Sequence, residues 1–216
     1  ANNDGENSRL YEAVKACSDF CIDLGINVPT GKDSMSMKQK YSDKEVLAPG
    51  TVIISATGQS DNFKKTVEPY LKNIESSLYY VDMSSCDYHL GGSALYQANN
   101  KIGNRCNDIN SAKKFKNIFN VIQNMIKDGD IYSGHDISSG GMITCLLEMC
   151  FVSDGIGLDI DLSSLEESDI VKVLFSENHG IIFQADKKIE DSLTKNNIKF
   201  HKIGFLSRSS NLSIVK

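Results

Sequence analysis

Apolar residues recur at helical spacing in several stretches of the chain, and the clearest of these stretches end at glycine. One stripe occupies residues 10–24 and stops at Gly25; another occupies residues 115–126, follows Ser111 and stops at Gly129. Serine is a favoured N-cap residue, and glycine closes helices in the left-handed conformation. Weaker patterns predict further helices at residues 61–71, 91–96, 142–150, 163–174 and 186–196.

Shorter apolar segments between these helices have the composition or the alternation of β-strands. Residues 155–162 alternate apolar and polar positions, whereas residues 51–58 form a β-branched run typical of a buried strand. Strands are predicted at residues 26–28, 51–58, 78–83, 131–134, 155–162, 180–185, 200–206 and 212–215. The last two are expected to form a hairpin around residues 207–210. Because helices and strands alternate and some strands are adjacent, we expect an α/β (α+β) fold with a mixed sheet flanked by helices.

The composition changes near residues 58–63, where an apolar segment gives way to a charged one. We place a domain boundary there, with a first domain at residues 1–60 and a second at residues 61–216. A chain of 216 residues is long enough for one large domain or two small ones with real cores.

Charge and hydropathy exclude several classes of function. The formal net charge is −5 and the 23 lysines and arginines are scattered, which argues against nucleic acid as the main partner. No apolar run approaches the roughly 20 residues that span a bilayer, and the first residues are polar, so we expect neither a membrane segment nor a signal peptide. The six cysteines show no CxxC pair and lie mostly in apolar segments. They indicate reduced thiols in a cytoplasmic protein.

The stretch from residue 131 to residue 151 carries the strongest candidate chemistry. A short strand leads to a polar turn with Asp136 and Ser138, and Gly140 and Gly141 open the next helix. Such a corner points backbone N–H groups at an anion, usually a phosphate, and an aspartate at the strand end can hold Mg²⁺ beside it. The alternative is a plain strand–helix connection in which Asp136 or Ser138 only caps the helix.

A second polar cluster lies at residues 30–38. Lys32, Asp33, Ser34 and Ser36 provide one cation, one carboxylate and two hydroxyls, which could bind phosphate. The segment is not a Walker A loop, since GxxxxGK[ST] is absent. The alternative is an edge strand with its methionines facing inward and its serines outward.

Other common centres are not supported by the sequence. The four histidines show neither HxxxH nor HExxH spacing, so a histidine zinc site is not expected. His179 beside Glu177 is only weak evidence for an acid–base pair. Cys145 and Cys150 fall within a predicted helix and not at a strand–helix elbow, which argues against thiol catalysis.

Several motifs in the same order resemble the phosphoribosylformylglycinamidine synthase family, in its large single-chain form. These motifs are SRLYEAV at 8–14, GKDSMSM at 31–37, HDxSxGG at 135–141, LEM at 147–149, GIGLDI at 155–160 and LFSE at 174–177. GKDSMSM is a specific signature, HDxSxGG is moderately specific, and their order strengthens both. The resemblance is to the second aminoimidazole-ribonucleotide-synthetase-like half of that enzyme.

This resemblance implies part of a carbon–nitrogen ligase of de novo purine biosynthesis (EC 6.3.5.3 class). Such an enzyme uses ATP and glutamine to convert formylglycinamide ribonucleotide to formylglycinamidine ribonucleotide. Residues 1–60 would be the tail of the N-terminal synthetase-like subdomain, and residues 61–216 the C-terminal subdomain. The remaining synthase half and the glutaminase domain, with its cysteine nucleophile, would lie outside the chain, so the isolated piece is predicted to be inactive.

The resemblance also implies ATP or ADP and Mg²⁺ as cofactors. The aspartate at Asp136 would bind Mg²⁺, the serine at Ser138 would contact nucleotide, and GKDSMSM would lie beside the nucleotide. In the family this half can hold ADP that serves structure, so the site could be auxiliary. Two alternatives remain: a non-catalytic structural or nucleotide-binding module, and another ATP-using enzyme of the superfamily, such as a thiamine-phosphate kinase or a selenophosphate synthetase.

Three loop positions depart from the family pattern. Residues 84–86 read Ser-Ser-Cys where the family carries a glycine-rich loop, Ser139 replaces a frequent aspartate, and residues 178–179 read Asn-His. We therefore expect the local shape of these loops, and not the fold, to differ from the family.

Overall fold

The computed structural model describes residues 3–32, 34, 37–153 and 155–216. It divides into two compact units, Ala1–Asp61 and Asn62–Lys216, which are treated separately below. In the residues described, every helix is too short or too polar to cross a lipid bilayer.

The first unit contains one long helix, α1 (Glu6–Leu24), and a small antiparallel hairpin of β1 (Lys38–Lys40) and β2 (Glu45–Leu47). Helix α1 begins four residues before the apolar stripe. It ends as predicted at Gly25, which adopts the left-handed conformation with φ of 73°. No described residue of α1 is buried, although its stripe is apolar.

Two predicted strands of this unit are absent from the described structure. Residues 26–28 and 51–58 have no strand conformation, and the side chain of Ile53 is 87% exposed. A β-branched run forms a strand only where a neighbouring strand accepts its hydrogen bonds. Among the described residues of this unit, strand pairing joins β1 to β2 alone.

The second unit holds six strands and five helices among its described residues. The strands are β3 (Ser77–Asp82), β4 (Ile131–Ile137), β5 (Gly157–Asp161), β6 (Gly180–Ala185), β7 (His201–Ser207) and β8 (Leu212–Val215). The helices are α2 (Ala94–Ala98), α3 (Ala112–Asp128), α4 (Gly141–Phe151), α5 (Ile170–Phe175) and α6 (Ile189–Lys195).

The six strands form one mixed sheet in the order β4-β6-β3-β7-β5-β8. Neighbours pair antiparallel, except that β5 and β8 run parallel. The predicted fold class, a mixed sheet flanked by helices, is therefore confirmed.

Both faces of this sheet are covered by helices. Along the central strand β3, Leu78 and Tyr80 enter one core with residues of α4 and α5. Tyr79 and Val81 enter the other core with residues of α3 and α6. Because successive strand residues point to opposite faces, an apolar run such as 78–81 is what a doubly covered strand requires.

Four sequence predictions in this unit need correction. Strands β7 and β8 do not form a hairpin, because β5 lies between them and pairs with both. Residues 61–71 are not helical, and α5 begins only at Ile170, where the Asp169 side chain accepts the N–H groups of the first turn. Strand β4 continues past residue 134 to Ile137, because His135, Asp136 and Ile137 each have a partner in β6.

A buried glutamine fastens residues 72–76 to the sheet. Gln184, on β6, is fully buried; its Oε1 accepts the Lys72 N–H (2.9 Å) and the Ser133 hydroxyl (3.1 Å). Its Nε2 donates to the Lys72 carbonyl (2.8 Å) and to Ser76 Oγ (2.7 Å). One side chain thus satisfies both backbone groups of Lys72.

We expect Gln184→Met to lower the free energy of unfolding by about 2–4 kcal/mol, because the backbone polar groups of Lys72 lose their partner while the side-chain volume is kept. Urea unfolding followed by circular dichroism measures this change. Gln97→Met, at an exposed position of α2, is the matched control and should cost less than about 1 kcal/mol. Equal effects of the two substitutions would contradict the role given to Gln184.

Candidate functional site

The candidate corner lies where β4 ends and α4 begins. Asp136 is the second-last residue of β4, Ser138 follows the strand, and Gly140 is the N-cap of α4. The side chain of Asp136 is 77% exposed, and Ser138 is exposed as well. Two of the predicted ligand groups are therefore open to solvent at one end of the sheet.

Gly140 and Gly141 are required by the backbone of this corner. Their φ angles are +90° and +77°, which side chains other than glycine rarely adopt. A Cβ atom on Gly141 would lie 2.6 Å from the Leu174 carbonyl oxygen, which belongs to α5. The glycine pair therefore allows α4 to start in close contact with the backbone of α5.

The backbone N–H groups of both glycines already have protein acceptors. Gly140 N–H donates to Glu177 Oε1 at 2.9 Å, and Gly141 N–H donates to the Ser138 carbonyl oxygen at 3.0 Å. A phosphate oxygen bound to Gly140 N–H would have to replace the Glu177 carboxylate.

A second corner of the same kind lies between β3 and α2, where the chain passes through Gly91 and Gly92, and Glu177 contacts it too. Its Oε1 accepts the N–H of Ala94 at 2.8 Å, and Ala94 is the first residue of α2, just after Gly91 and Gly92. The two strand–loop–glycine–helix segments of the sequence therefore meet at a single carboxylate oxygen. Glu177 belongs to the LFSE motif, but its contact with the two helix starts was not predicted from the sequence.

The residues beside Glu177 join further loops. Ser176 and Asn178 are both buried, and the Ser176 hydroxyl donates to Asn178 Oδ1 at 2.9 Å. Asn178 Nδ2 donates to the Cys86 carbonyl (3.2 Å), and Asn107 Nδ2 donates to Ser176 Oγ (3.0 Å). Residues 176–178 thus connect the loops that follow β3, α2 and β4.

The loop after β3 contains a residue with the left-handed backbone conformation that favours glycine. Asp82 accepts the N–H and hydroxyl of Ser84 and the N–H of Ser85, which folds the chain back on the strand end. Ser85 has φ of 56°, in the left-handed region. The departure of residues 84–86 from the family pattern therefore leaves one residue in a conformation that glycine adopts at lower cost.

Asp136 is the one carboxylate at this corner that the sequence predicts as a metal ligand. Its neighbour His135 directs Nδ1 to the Asp136 carbonyl (2.8 Å) and Nε2 to Glu148 Oε2 (3.0 Å), so the ring joins β4 to α4. Among the described residues, no group of three histidine, cysteine or acidic side chains could enclose a metal ion. The arrangement suits Mg²⁺, which keeps one or two protein carboxylates and fills its shell with phosphate and water.

The other predicted cluster belongs to the first unit. Lys32 Nζ donates a hydrogen bond to Ser34 Oγ, and both side chains are exposed. Asp33 and Ser36 lie outside the described residues. The predictions for this cluster, and those for Asp136, Ser138, Gly140 and Gly141, remain predictions of ligand contact.

The cysteine nearest the corner is not a nucleophile candidate. Cys145 is buried in α4 and its thiol faces the His135 carbonyl at 3.7 Å. Burial, followed by the nearby carboxylates of Asp136 and Glu148, raises the pKa of this thiol far above its ordinary value. The thiolate needed for attack is therefore disfavoured.

A cavity of about 1050 Å³ opens at the other end of the sheet, where β3 begins. Its lining mixes the cations Lys187, Lys202 and Arg208 with the acids Glu75 and Asp186. It is separated from the corner by the length of β3, roughly 20 Å, so it does not contribute to the predicted nucleotide site.

We expect Gly141→Ala to lower the free energy of unfolding by about 3 kcal/mol, since it adds both left-handed strain and a collision with the α5 backbone. Gly129→Ala is the control, because Gly129 has a similar φ of 79° but open space around its Cβ position. It should cost only about 1–2 kcal/mol. Chemical unfolding of both variants measures the difference, and equal costs would show that the contact with Leu174 is unimportant.

Two family models match the chain in succession. The model described as the FGAR-AT PurM_N-like domain matches residues 1–59, and the model described as AIR synthase related protein, C-terminal domain, matches residues 83–215. A curated relative, the probable phosphoribosylformylglycinamidine synthase, chloroplastic/mitochondrial, of Arabidopsis thaliana, is 38% identical over 192 residues. That alignment covers 88% of this chain and 14% of the relative, so the chain spans a small part of the relative's length.

Solved structures share the fold. T. maritima PurL complexed with FGAR aligns with a TM-score of 0.54 and 12% identity, over 67% of this chain and 26% of that chain. T. maritima PurL complexed with ATP aligns with a TM-score of 0.52 and 10% identity, over 71% of this chain and 25% of that chain. The resemblance to phosphoribosylformylglycinamidine synthase is thereby confirmed, and the chain belongs to the AIR synthase related protein family, whose C-terminal domain model matches more than half of its residues.

Proposed function

We propose that this chain forms part of a phosphoribosylformylglycinamidine synthase and contributes half of a site for a nucleotide and Mg²⁺. The observation that supports this most strongly is the 38% identity to the Arabidopsis thaliana relative over 88% of the chain. The order of the two matched domain models is consistent with residues 1–60 as the tail of one subdomain and residues 61–216 as the next.

In this proposal, Asp136 is the protein ligand of Mg²⁺. Its carboxylate is exposed at the end of β4, so phosphate oxygens and water can complete the octahedral shell. The bound ion would neutralise part of the polyphosphate charge. The exposed hydroxyl of Ser138, two residues further on, donates a hydrogen bond to a phosphate oxygen.

Gly140 and Gly141 shape the backbone around this phosphate. Contact between Gly140 N–H and a phosphate oxygen requires an exchange with Glu177, which accepts that N–H at 2.9 Å.

Lys32, with Asp33, Ser34 and Ser36 of the same segment, supplies a cation and hydroxyls to the nucleotide. The ammonium group of Lys32 is exposed and donates to a serine hydroxyl, so its charge is open to an anionic ligand.

The nucleotide is ATP or ADP. Relatives of the same fold are described as T. maritima PurL complexed with ATP, with ADP and with FGAR. The bound nucleotide either turns over or, as ADP, supports the structure. In the complete enzyme the reaction would consume ATP and glutamine and convert formylglycinamide ribonucleotide to formylglycinamidine ribonucleotide, with the other synthase half and a glutaminase domain as partners.

A cytoplasmic location remains part of the proposal; the Arabidopsis thaliana relative is described as chloroplastic/mitochondrial.

A structural module is the second candidate. It is favoured by the fact that the N–H groups of both glycines already donate to protein oxygens, as they would in a connection that binds nothing. In that case Asp136 and Ser138 would be exposed polar residues of a turn.

Binding of Mg·ADP distinguishes the two candidates. We expect Asp136→Ala to weaken Mg·ADP binding at least tenfold in isothermal titration calorimetry, because Mg²⁺ loses its protein carboxylate. Asp191→Ala, an exposed acidic position of α6, is the control with the same charge change and should bind like the unaltered chain. Unchanged affinity in Asp136→Ala would support the structural module.

We expect the 216-residue chain alone to show no ATP- and glutamine-dependent amidine formation. The glutaminase nucleophile and the rest of the synthase belong to other parts of the proposed enzyme. A coupled assay for ADP release and formylglycinamidine ribonucleotide, with a complete enzyme as positive control, measures this. Turnover by the chain alone would overturn the prediction.

A further inference from the structure

One carboxylate oxygen joins two helix starts that are distant in sequence. Glu177 Oε1 accepts the N–H of Ala94, at the start of α2, at 2.8 Å and the N–H of Gly140, at the start of α4, at 2.9 Å. The donors are separated by 46 residues of chain (140 − 94), and each follows a glycine pair or belongs to one. Hydrogen bonds to an ionised carboxylate are roughly twice as strong as neutral ones.

The carboxylate is itself held in place. Its neighbours Ser176 and Asn178 are each 2% exposed and are hydrogen-bonded to one another. The N–H of Met83 donates to the His179 carbonyl at 2.9 Å, which attaches the segment to the end of β3. Glu177 therefore projects from a segment fixed on both sides, so it can determine where the two helix starts lie.

Helix α4 has no side-chain cap of its own. Its N-cap is Gly140, which has no side-chain oxygen to accept an N–H group of the first turn. Glu177 does not replace that cap; from another part of the chain it accepts the N–H of Gly140 itself. Helix α2 does have a local cap, because Ser93 Oγ accepts the Tyr96 N–H, yet Ala94 N–H still depends on Glu177.

We propose that Glu177 is a positioning residue that couples the two glycine corners, so that the Ser138–Gly141 corner and the start of α2 keep a fixed relative position. This inference rests on the proposed function only where nucleotide is concerned, because the coupling itself is a property of the protein. Without the carboxylate, both N–H groups lose their acceptor and the two corners move independently. Ser138 and Asp136 would then meet phosphate and Mg²⁺ in a less fixed geometry.

Amide hydrogen exchange on the 216-residue chain tests the coupling. In Glu177→Ala, exchange at the Ala94 and Gly140 amides should both accelerate more than about tenfold relative to the amides of β3 and β6, which report global unfolding. Glu177→Gln keeps an acceptor oxygen and should restore most of the protection. Glu167→Ala is the matched control: its carboxylate accepts the Asp169 N–H elsewhere in the unit, and its removal should leave both amides unchanged.

Acceleration at only one of the two amides, or equal acceleration in Glu177→Ala and the control, would overturn the proposal. If Glu177→Ala fails to fold, the Glu177→Gln variant decides. The exchange rates of both amides should then rise by similar factors, each less than about tenfold above the rate in the unaltered chain. Unequal responses at the two amides in that variant would also overturn it.

Calorimetry with Mg·ADP separates this inference from the proposed function. Glu177→Ala should weaken binding about tenfold or more, whereas Glu177→Gln should stay within about threefold of the unaltered chain. If the unaltered chain itself binds no Mg·ADP, the proposed function fails while the exchange measurement still decides on Glu177. If the chain binds and Glu177→Ala binds equally well, positioning by Glu177 is refuted and the proposed function stands.

Discussion

The burial of strand β3 on both faces is the constraint from which the rest of the second unit follows. Its residues from Leu78 to Val81 are all buried, and they alternate between a core with α4 and α5 and a core with α3 and α6. A strand that is apolar on both faces must lie inside the sheet and must have helices above and below it. The neighbouring strands β6 and β7 pair with it over most of its length. Their register therefore determines where the loops at the ends of these strands begin.

The candidate site is a consequence of that arrangement. One end of the sheet brings together the end of β3, the end of β4 and the start of β6, because Gly180 pairs with both Asp82 and Ile137. The loops there approach one another closely, and their backbone N–H and carbonyl groups lose water. Short polar side chains such as Ser84, Ser176 and Asn178 are buried among them and supply the missing partners. The polar composition of these loops is therefore as much a requirement of folding as a sign of ligand binding.

Features that depend on residues close together in the sequence were predicted correctly. Helix α3 was predicted from Ser111, the apolar stripe and Gly129, and the structure has both caps. The hairpin of β1 and β2 was missed because all its residues are exposed, which leaves no alternation to detect. The parallel pairing of β8 with β5 was missed because it depends on which strand fills the space beside β7, and short apolar strands do not specify their neighbours. The double contact of Glu177 was missed for the same reason: its donors lie 83 and 37 residues away.

The position of Glu177 also bears on how an anion could bind at this corner. A carboxylate that accepts Gly140 N–H places negative charge at the point where the proposed phosphate oxygen would lie. A free polyphosphate would therefore meet repulsion as well as a donor that is already occupied. A cation held by Asp136, near the end of β4, would offset that charge while Glu177 keeps its hydrogen bond to Gly140 N–H. In the proposed site the phosphate is thus held through Mg²⁺ and Ser138, and nucleotide binding without the ion would be weak on electrostatic grounds alone.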